Sequence, residues 1–270
     1  FNLAESTVGQ DYLWNLIDTE IGEVLSFEQG QRLIKKLDEV CMGVERFDLS
    51  ASLTSCQNVV WILDNGVFGP KNLAKAQAYR EYAAKDLGDA FSAIDAGWVY
   101  WSEDSLFDPE KAKYFTYLGT KSPKAIDRAY AFNNLGVIAN YSYDLDDHLA
   151  VARNYFEQAV EANDSSEEKI AWPYNNLARF YLYITPFQNV EKALLLAEQA
   201  TEIAEGEDFF VRFIRKNNIK NSWTQDDFAN ALEREIENSE MAYTELGYLM
   251  EDGGDFVSAL KWFLICDKLC

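Results

Sequence analysis

Few residues in this chain stand in the spacings that catalysis requires. The single histidine, His148, follows Asp146 and Asp147, with Asp144 two residues further back. One imidazole cannot build a multi-histidine metal centre. The spaced ligands and bend-forming glycine of a calcium loop are missing too, so helix capping and loop solvation account for these aspartates. Two Ser-x-x-Lys pairs, Ser166 with Lys169 and Ser258 with Lys261, have the spacing of an acylating serine and its lysine. The Ser-Asp-Asn and Lys-Thr-Gly elements that complete such a site are absent, and Ala259 belongs to a packing pattern described below. No Gly-x-Ser-x-Gly, His-Glu-x-x-His or phosphate-cradling glycine loop occurs. The expectation is a non-enzymatic protein with no catalytic residue, no metal and no cofactor.

Binding chemistry is better represented. Arg212, Arg215 and Lys216, in the segment Phe209 to Lys216, share one helical face at i, i+3, i+4 spacing, with Lys220 beyond. This secondary basic patch has two accounts. It pairs with carboxylates of the same chain such as Glu233, Glu235 and Glu237, each exposed pair contributing about 0.2–1 kcal/mol, or it meets a phosphate or acidic partner. Around it the chain is acidic, with 45 Asp and Glu against 24 Lys and Arg, a net charge of -21 and a pI near 4.4. Such a surface repels nucleic acid and anionic lipid, so no nucleic-acid partner is expected. No apolar run approaches the roughly 18 residues of a membrane span, so no membrane insertion is expected either. With 270 residues, 48% apolar and 26% charged, the chain can bury a large core.

The elements that must position these groups are helices. A small residue, a bulky one three positions on and a second small one four further recur as Ala76, Tyr79, Ala83; Ala112, Phe115, Gly119; Ala152, Tyr155, Ala159; Ala193, Leu196, Ala200; and Ala259, Trp262, Cys266. The first four copies lie about 36 to 41 residues apart, the period of a helix-pair solenoid. Each pair opens with an i, i+3, i+4, i+7 stripe: Ala93, Ala96, Gly97, Tyr100; Phe132, Leu135, Gly136, Ala139; Tyr174, Leu177, Ala178, Tyr181; and Tyr243, Leu246, Gly247, Met250. Glycine costs about 1 kcal/mol inside a helix, so its recurrence at one place implies close approach of the paired helix. Asp108-Pro109, Thr185-Pro186 and Gly254-Asp255 read as helix starts, and Ser26 to Gln29 as a capping box.

Cys41 and Cys56 have the spacing to bridge facing ends of neighbouring helices. Cys266 reads as a free buried thiol acting as a small apolar residue, four helical residues from Cys270 and so poorly placed for a disulfide. A chain that starts at Phe1 with two local cysteine pairs points to a periplasmic or secreted location ahead of a cytoplasmic one.

The stretches AFNNLGVIANYSYDLDDHLAVARNYFEQAVE, DAGWVYWSEDSLFDPEKAKYFTYLG and AYTELGYLMEDGGDFVSALKWFLICDKL resemble Sel-1-like repeats. A fourth, YNNLARFYLYITPFQNVEKALLLAEQATEIAE, is closer to a plain tetratricopeptide repeat. The resemblance covers roughly residues 53–205 and 239–270. It implies an all-α, right-handed superhelix of about five helix pairs: an N-terminal helical cap over 1–52, and an array over 53–270 with a helical insertion at about 206–238. Family members are frequent in bacteria and act as adaptors, and their first helices line a concave face that holds a protein or peptide. Projected onto this chain, that face would be formed by Phe91, Trp98 and Trp101; Tyr130, Asn133 and Asn140; and Trp172, Asn175, Arg179 and Tyr183. Aromatic faces anchor with little rotamer entropy to lose, and amides both donate to and accept from a peptide backbone. Asn133 and Asn175 stand where a lysine clamp for a C-terminal carboxylate would need lysine, which disfavours chaperone-tail binding. The resulting expectation is a protein- or peptide-binding scaffold. The alternative is an acidic inhibitory protein that mimics a polyanion on a basic partner surface.

Overall fold

The computed structural model describes residues 25–43, 47–142, 147–204, 209–236, 241–252 and 256–269. The described residues are all-helical, with no strand. Two compact units divide at Ile138 and Ala139. The first contains α1 (Phe27–Cys41), α2 (Leu49–Asn65), α3 (Leu73–Lys85), α4 (Ala90–Ser102), α5 (Pro109–Gly119) and most of α6 (Ala125–Asn140). The second contains α7 (His148–Asp164), α8 (Trp172–Tyr183), α9 (Val190–Ala204), α10 (Phe209–Asn217), α11 (Gln225–Glu235), α12 (Met241–Asp252) and α13 (Phe256–Leu269). Helices adjacent in sequence pack together, α1 to α5 in succession in one unit, α7 to α10 and α11 to α13 in the other. None among the described residues is long and apolar enough to cross a membrane.

The acidic residues begin many of these helices. The side chains of Asp48, Asn72, Asp89 and Asp108 accept from the N–H of Ala51, Lys75, Ser92 and Lys111 at 2.8–3.0 Å, satisfying donors that a first turn leaves without partners. Pro109 follows Asp108 at the first helical position, and Ser26 and Gln29 form the expected capping box. The start expected at Thr185-Pro186 is displaced. Those residues make a single 3-10 turn, Phe187 stacks on Phe180 with ring centres 5.7 Å apart, and α9 is capped instead by Asn189 on Lys192 N at 3.0 Å. The start expected at Gly254-Asp255 lies outside the described residues.

The small positions of the first four copies are buried, with Ala76, Ala83, Ala112, Ala152, Ala159, Ala193 and Ala200 inaccessible, whereas in the fifth Ala259 is buried and Cys266, expected to be buried, is half-buried. The bulky position is not fully buried in two copies, at Tyr155 and at Trp262. Tyr155 is only half-buried, and Phe156 enters the core in its place, 5.9 Å from the Phe180 ring. On α4 the expected close approach is acute. A Cβ at Gly97 would stand 2.1 Å from Thr116 Oγ1 and 2.7 Å from Thr116 N, so α4 rests directly on the backbone of α5.

A second constellation recurs with the helix pairs. The Tyr100 hydroxyl of α4 donates to Glu81 of α3, while Lys111 of α5 donates to that hydroxyl at 3.3 Å and lies 4.7 Å above the ring. In the other unit Tyr181 donates to Glu157 at 2.5 Å, and Lys192 donates to Tyr181 at 2.7 Å and lies 4.4 Å above its ring. The tyrosine and lysine stand 11 residues apart in both cases. Burial, then the hydrogen bond to the carboxylate, pushes both phenols above their ordinary range.

Cys41 and Cys56 form a disulfide between α1 and α2, both fully buried. Ser52 of α2 donates to the Val40 carbonyl of α1 at 3.0 Å. The boundary expected between residues 52 and 53 thus falls inside α2, a helix tied to both sides. Cys266 is disulfide-bonded as well, and no described cysteine is free, which overturns the reading of Cys266 as a free thiol. That reading assumed ideal helical spacing between Cys266 and Cys270, and Cys270 lies outside the described residues.

Two outcomes are expected. Gly97→Ala forces α4 from α5 and lowers stability by about 1–3 kcal/mol, read from the urea midpoint; an unchanged midpoint would contradict the close approach. Burial and the hydrogen bond to Asp164 push the Tyr174 phenol from 10.0 up to about 12. A raised folded pKa favours the protonated phenol, so its contribution is complete below pH 10 and is lost as pH rises toward 12. Urea midpoints measured across that window should fall less steeply for Tyr174→Phe than for the wild type, and identical slopes would refute the assignment.

Candidate functional site

In the first unit two helices turn matching faces away from their packing stripes. On α2 that face is Gln57, Trp61 and Asp64, opposite the buried Val59 and Ile62; on α4 it is Phe91, Asp95 and Trp98, opposite Ala93, Ala96 and Tyr100. Both triplets have i, i+4, i+7 spacing, so each makes a stripe along one side of its helix. From α3, between them in sequence, Arg80 joins the two. Its guanidinium donates to both oxygens of Asp64 and, through Nε, to one oxygen of Asp95. The Arg80 side chain is 7% exposed, Asp64 23% and Asp95 36%. Burial opposes the charge on Arg80, but the hydrogen bond to Asp64 and the charge of Asp95 outweigh it, so the group stays cationic.

These side chains border a cleft of about 250 Å³, lined by Gln57, Val60, Trp61, Phe91 and the Asp64–Arg80–Asp95 cluster, together with Cys56, Tyr79 and Ser92. Two carboxylates against one guanidinium leave it net negative. The apolar walls and the anionic cluster give it one oily side and one polar side.

Among the residues that the family resemblance selects, Phe91 lines this cleft, and Trp98 is exposed two turns along the same stripe. Trp101 is half-buried and closes onto its own loop, 5.7 Å from the Phe107 ring. On α6 Tyr130 and Asn140 are half-buried, whereas Asn133 is 3% exposed and not open to a partner.

On α8 Trp172 is exposed and Asn175 half-buried, with its carbonyl oxygen unpaired among the described residues. The other half of α8 is covered by the chain itself. Arg179 faces the buried Glu245 of α12 at 3.8 Å and lies 4.1 Å from the Tyr248 ring centre. Tyr183 is buried, edge-on to Phe228 of α11 at 5.1 Å. Phe228 of α11 covers Tyr183, which is therefore not open to a partner.

The basic patch also finds internal partners. Arg215 pairs with Glu198 at 2.6 Å, and Lys216 with the buried Glu235 at 2.8 Å, while Arg212 is half-buried. Elsewhere Lys169 faces Asp164 at 3.8 Å and Lys261 lies over the Trp262 ring. Asp144 and Asp146 lie outside the described residues. Among the described residues no group of three or more His, Cys, Asp or Glu could hold a metal ion.

Sequence reasoning missed Trp61, Asp64, Arg80 and Asp95. The signal was present in the shared i, i+4, i+7 spacing on α2 and α4. It was passed over because α2 carries no recurring small-residue stripe and Arg80 lies inside the Ala76 to Ala83 packing triplet.

Neither a family model nor a curated protein matches the chain. The assignment of the site rests on its geometry.

Replacing Arg80 by Met leaves two carboxylates facing each other without a counter-charge. The expected cost is about 2–3 kcal/mol, below the range for a fully buried pair because water reaches both aspartates. Asp95→Asn keeps the Arg80–Asp64 pair and should cost under about 1 kcal/mol. Equal losses in urea unfolding would contradict a guanidinium shared between two acids.

Proposed function

We propose that this chain is a non-enzymatic scaffold that binds a protein or peptide, built as a Sel-1-like or tetratricopeptide-like array of about five helix pairs in a right-handed superhelix. The observation that carries the reading is the exposure of Phe91 and Trp98, on one stripe of α4 with the half-buried Asp95, beside the cleft walled by Trp61. Phe91 is 56% exposed and Trp98 39%, two large rings left in water on the first helix of a pair, the side that the family uses for partners. Such rings are favourable anchors when a partner covers them. Packing of successive helices, the inaccessible small residues and the recurring Glu–Tyr–Lys constellation support the repeat architecture. The disulfides at Cys41–Cys56 and Cys266 support an oxidising compartment, in keeping with a periplasmic or secreted protein.

The net charge of -21 favours one second reading, an acidic inhibitor that occupies a basic surface of its partner. Salt separates the two, because contacts made by desolvated rings persist at high ionic strength and long-range charge attraction does not. Affinity capture from an extract of the source organism should retain a partner through a high-salt wash with the wild type and lose it with Phe91→Ala plus Trp98→Ala. Retention by the double variant, with release by salt alone, would transfer the function to the acidic surface.

A further inference from the structure

We infer that the cleft between α2, α3 and α4 receives a lysine or arginine side chain of the partner, an inference that rests on the peptide-binding reading above and names the chemistry it selects. The volume of about 250 Å³ falls below the 300–1,000 Å³ of ordinary small-molecule sites and suits one long side chain. Val60, Trp61 and Phe91 offer apolar walls to a methylene stem.

The charges choose the head group. Arg80 neutralises one negative charge of two and engages only one oxygen of Asp95, a residue that lines the cleft, which leaves the second oxygen to accept from another donor. A neutral side chain filling the cleft would take water from that oxygen and return nothing. An acidic one would meet two carboxylates, with the only cation already bound to both. A cationic head completes a four-charge arrangement of alternating sign. The charge of -21 over the whole chain adds long-range attraction for the same class of partner.

The probes are the methylamides of Nα-acetyl-lysine, Nα-acetyl-arginine, Nα-acetyl-norleucine and Nα-acetyl-glutamate, titrated into the full chain. The Trp61 indole N–H is followed by NMR, assigned by its loss in Trp61→Phe. The lysine and arginine amides should produce a saturable shift, with norleucine binding at least about fivefold more weakly, the contribution of one partly exposed ion pair. Asp95→Asn should weaken the two cations by about the same factor and leave norleucine unchanged. Phe91→Ala, a substitution at an exposed position, should weaken all three, and the spread of amide resonances serves as the folding control for both variants. Equal shifts with norleucine and lysine, or a stronger shift with glutamate, would overturn the inference while leaving the scaffold reading intact. No shift with any probe would overturn it as well, and the scaffold reading would then be decided by the capture experiment alone.

Discussion

Where α4 crosses α5, Gly97 has no side chain because the backbone of Thr116 occupies the space a Cβ would need. That contact sets the separation of the pair, and inaccessible alanines set it elsewhere, at Ala76 and Ala83 on α3 and at Ala193 and Ala200 on α9. Helices that approach so closely bury a narrow stripe, and each has to find a second use for the rest of its circumference. On α4 one part carries Tyr100 into the Glu81 and Lys111 constellation, and another carries Phe91, Asp95 and Trp98 into water. The candidate site uses the side of α4 turned away from Gly97 and Tyr100, where Phe91 borders the cleft with Val60 and Trp61.

Charge is distributed by the same logic. An acidic chain with 24 basic residues cannot neutralise all 45 of its carboxylates, and it uses many of them locally. Asp48, Asp89 and Asp108 cap helices; Glu81 and Glu157 hold tyrosines; Asp64 and Asp95 share one arginine. The basic residues are correspondingly committed, and Arg215 and Lys216 show that even a patch that reads as a separate feature pairs with carboxylates of its own unit. Charge left over after these uses is negative, which gives the surface its sign.

Packing was legible in the sequence, because small residues at fixed helical spacing have few other causes: the burial of Ala112, Phe115, Ala152 and Leu177 follows from periodicity alone. The caps at Ser26 and Asp108 were legible for a similar reason, since side-chain oxygens at those positions have one local donor to satisfy. The candidate site was half legible. Phe91 and Trp98 emerge from projecting the repeat, but Arg80 joins residues of three helices, and no local pattern records that its stem reaches across to Asp64 and Asp95. Tyr183 failed for the opposite reason. Nothing in its local spacing sets it apart, and only α11, which brings Phe228 against it, removes it from the surface.

The disulfide between Cys41 and Cys56 has a mechanical consequence. Tension applied along the chain at the amino end of α1 arrives at Cys41 and passes through the bond to Cys56, bypassing the residues between them, the first half of α2 included. With a sequence separation of 15, about 50 Å of contour length is held out of any extension. With the bond intact, tension can extend α1 and the chain beyond Cys56, but not the residues between the two cysteines. A reductant would release that length, the first half of α2 included.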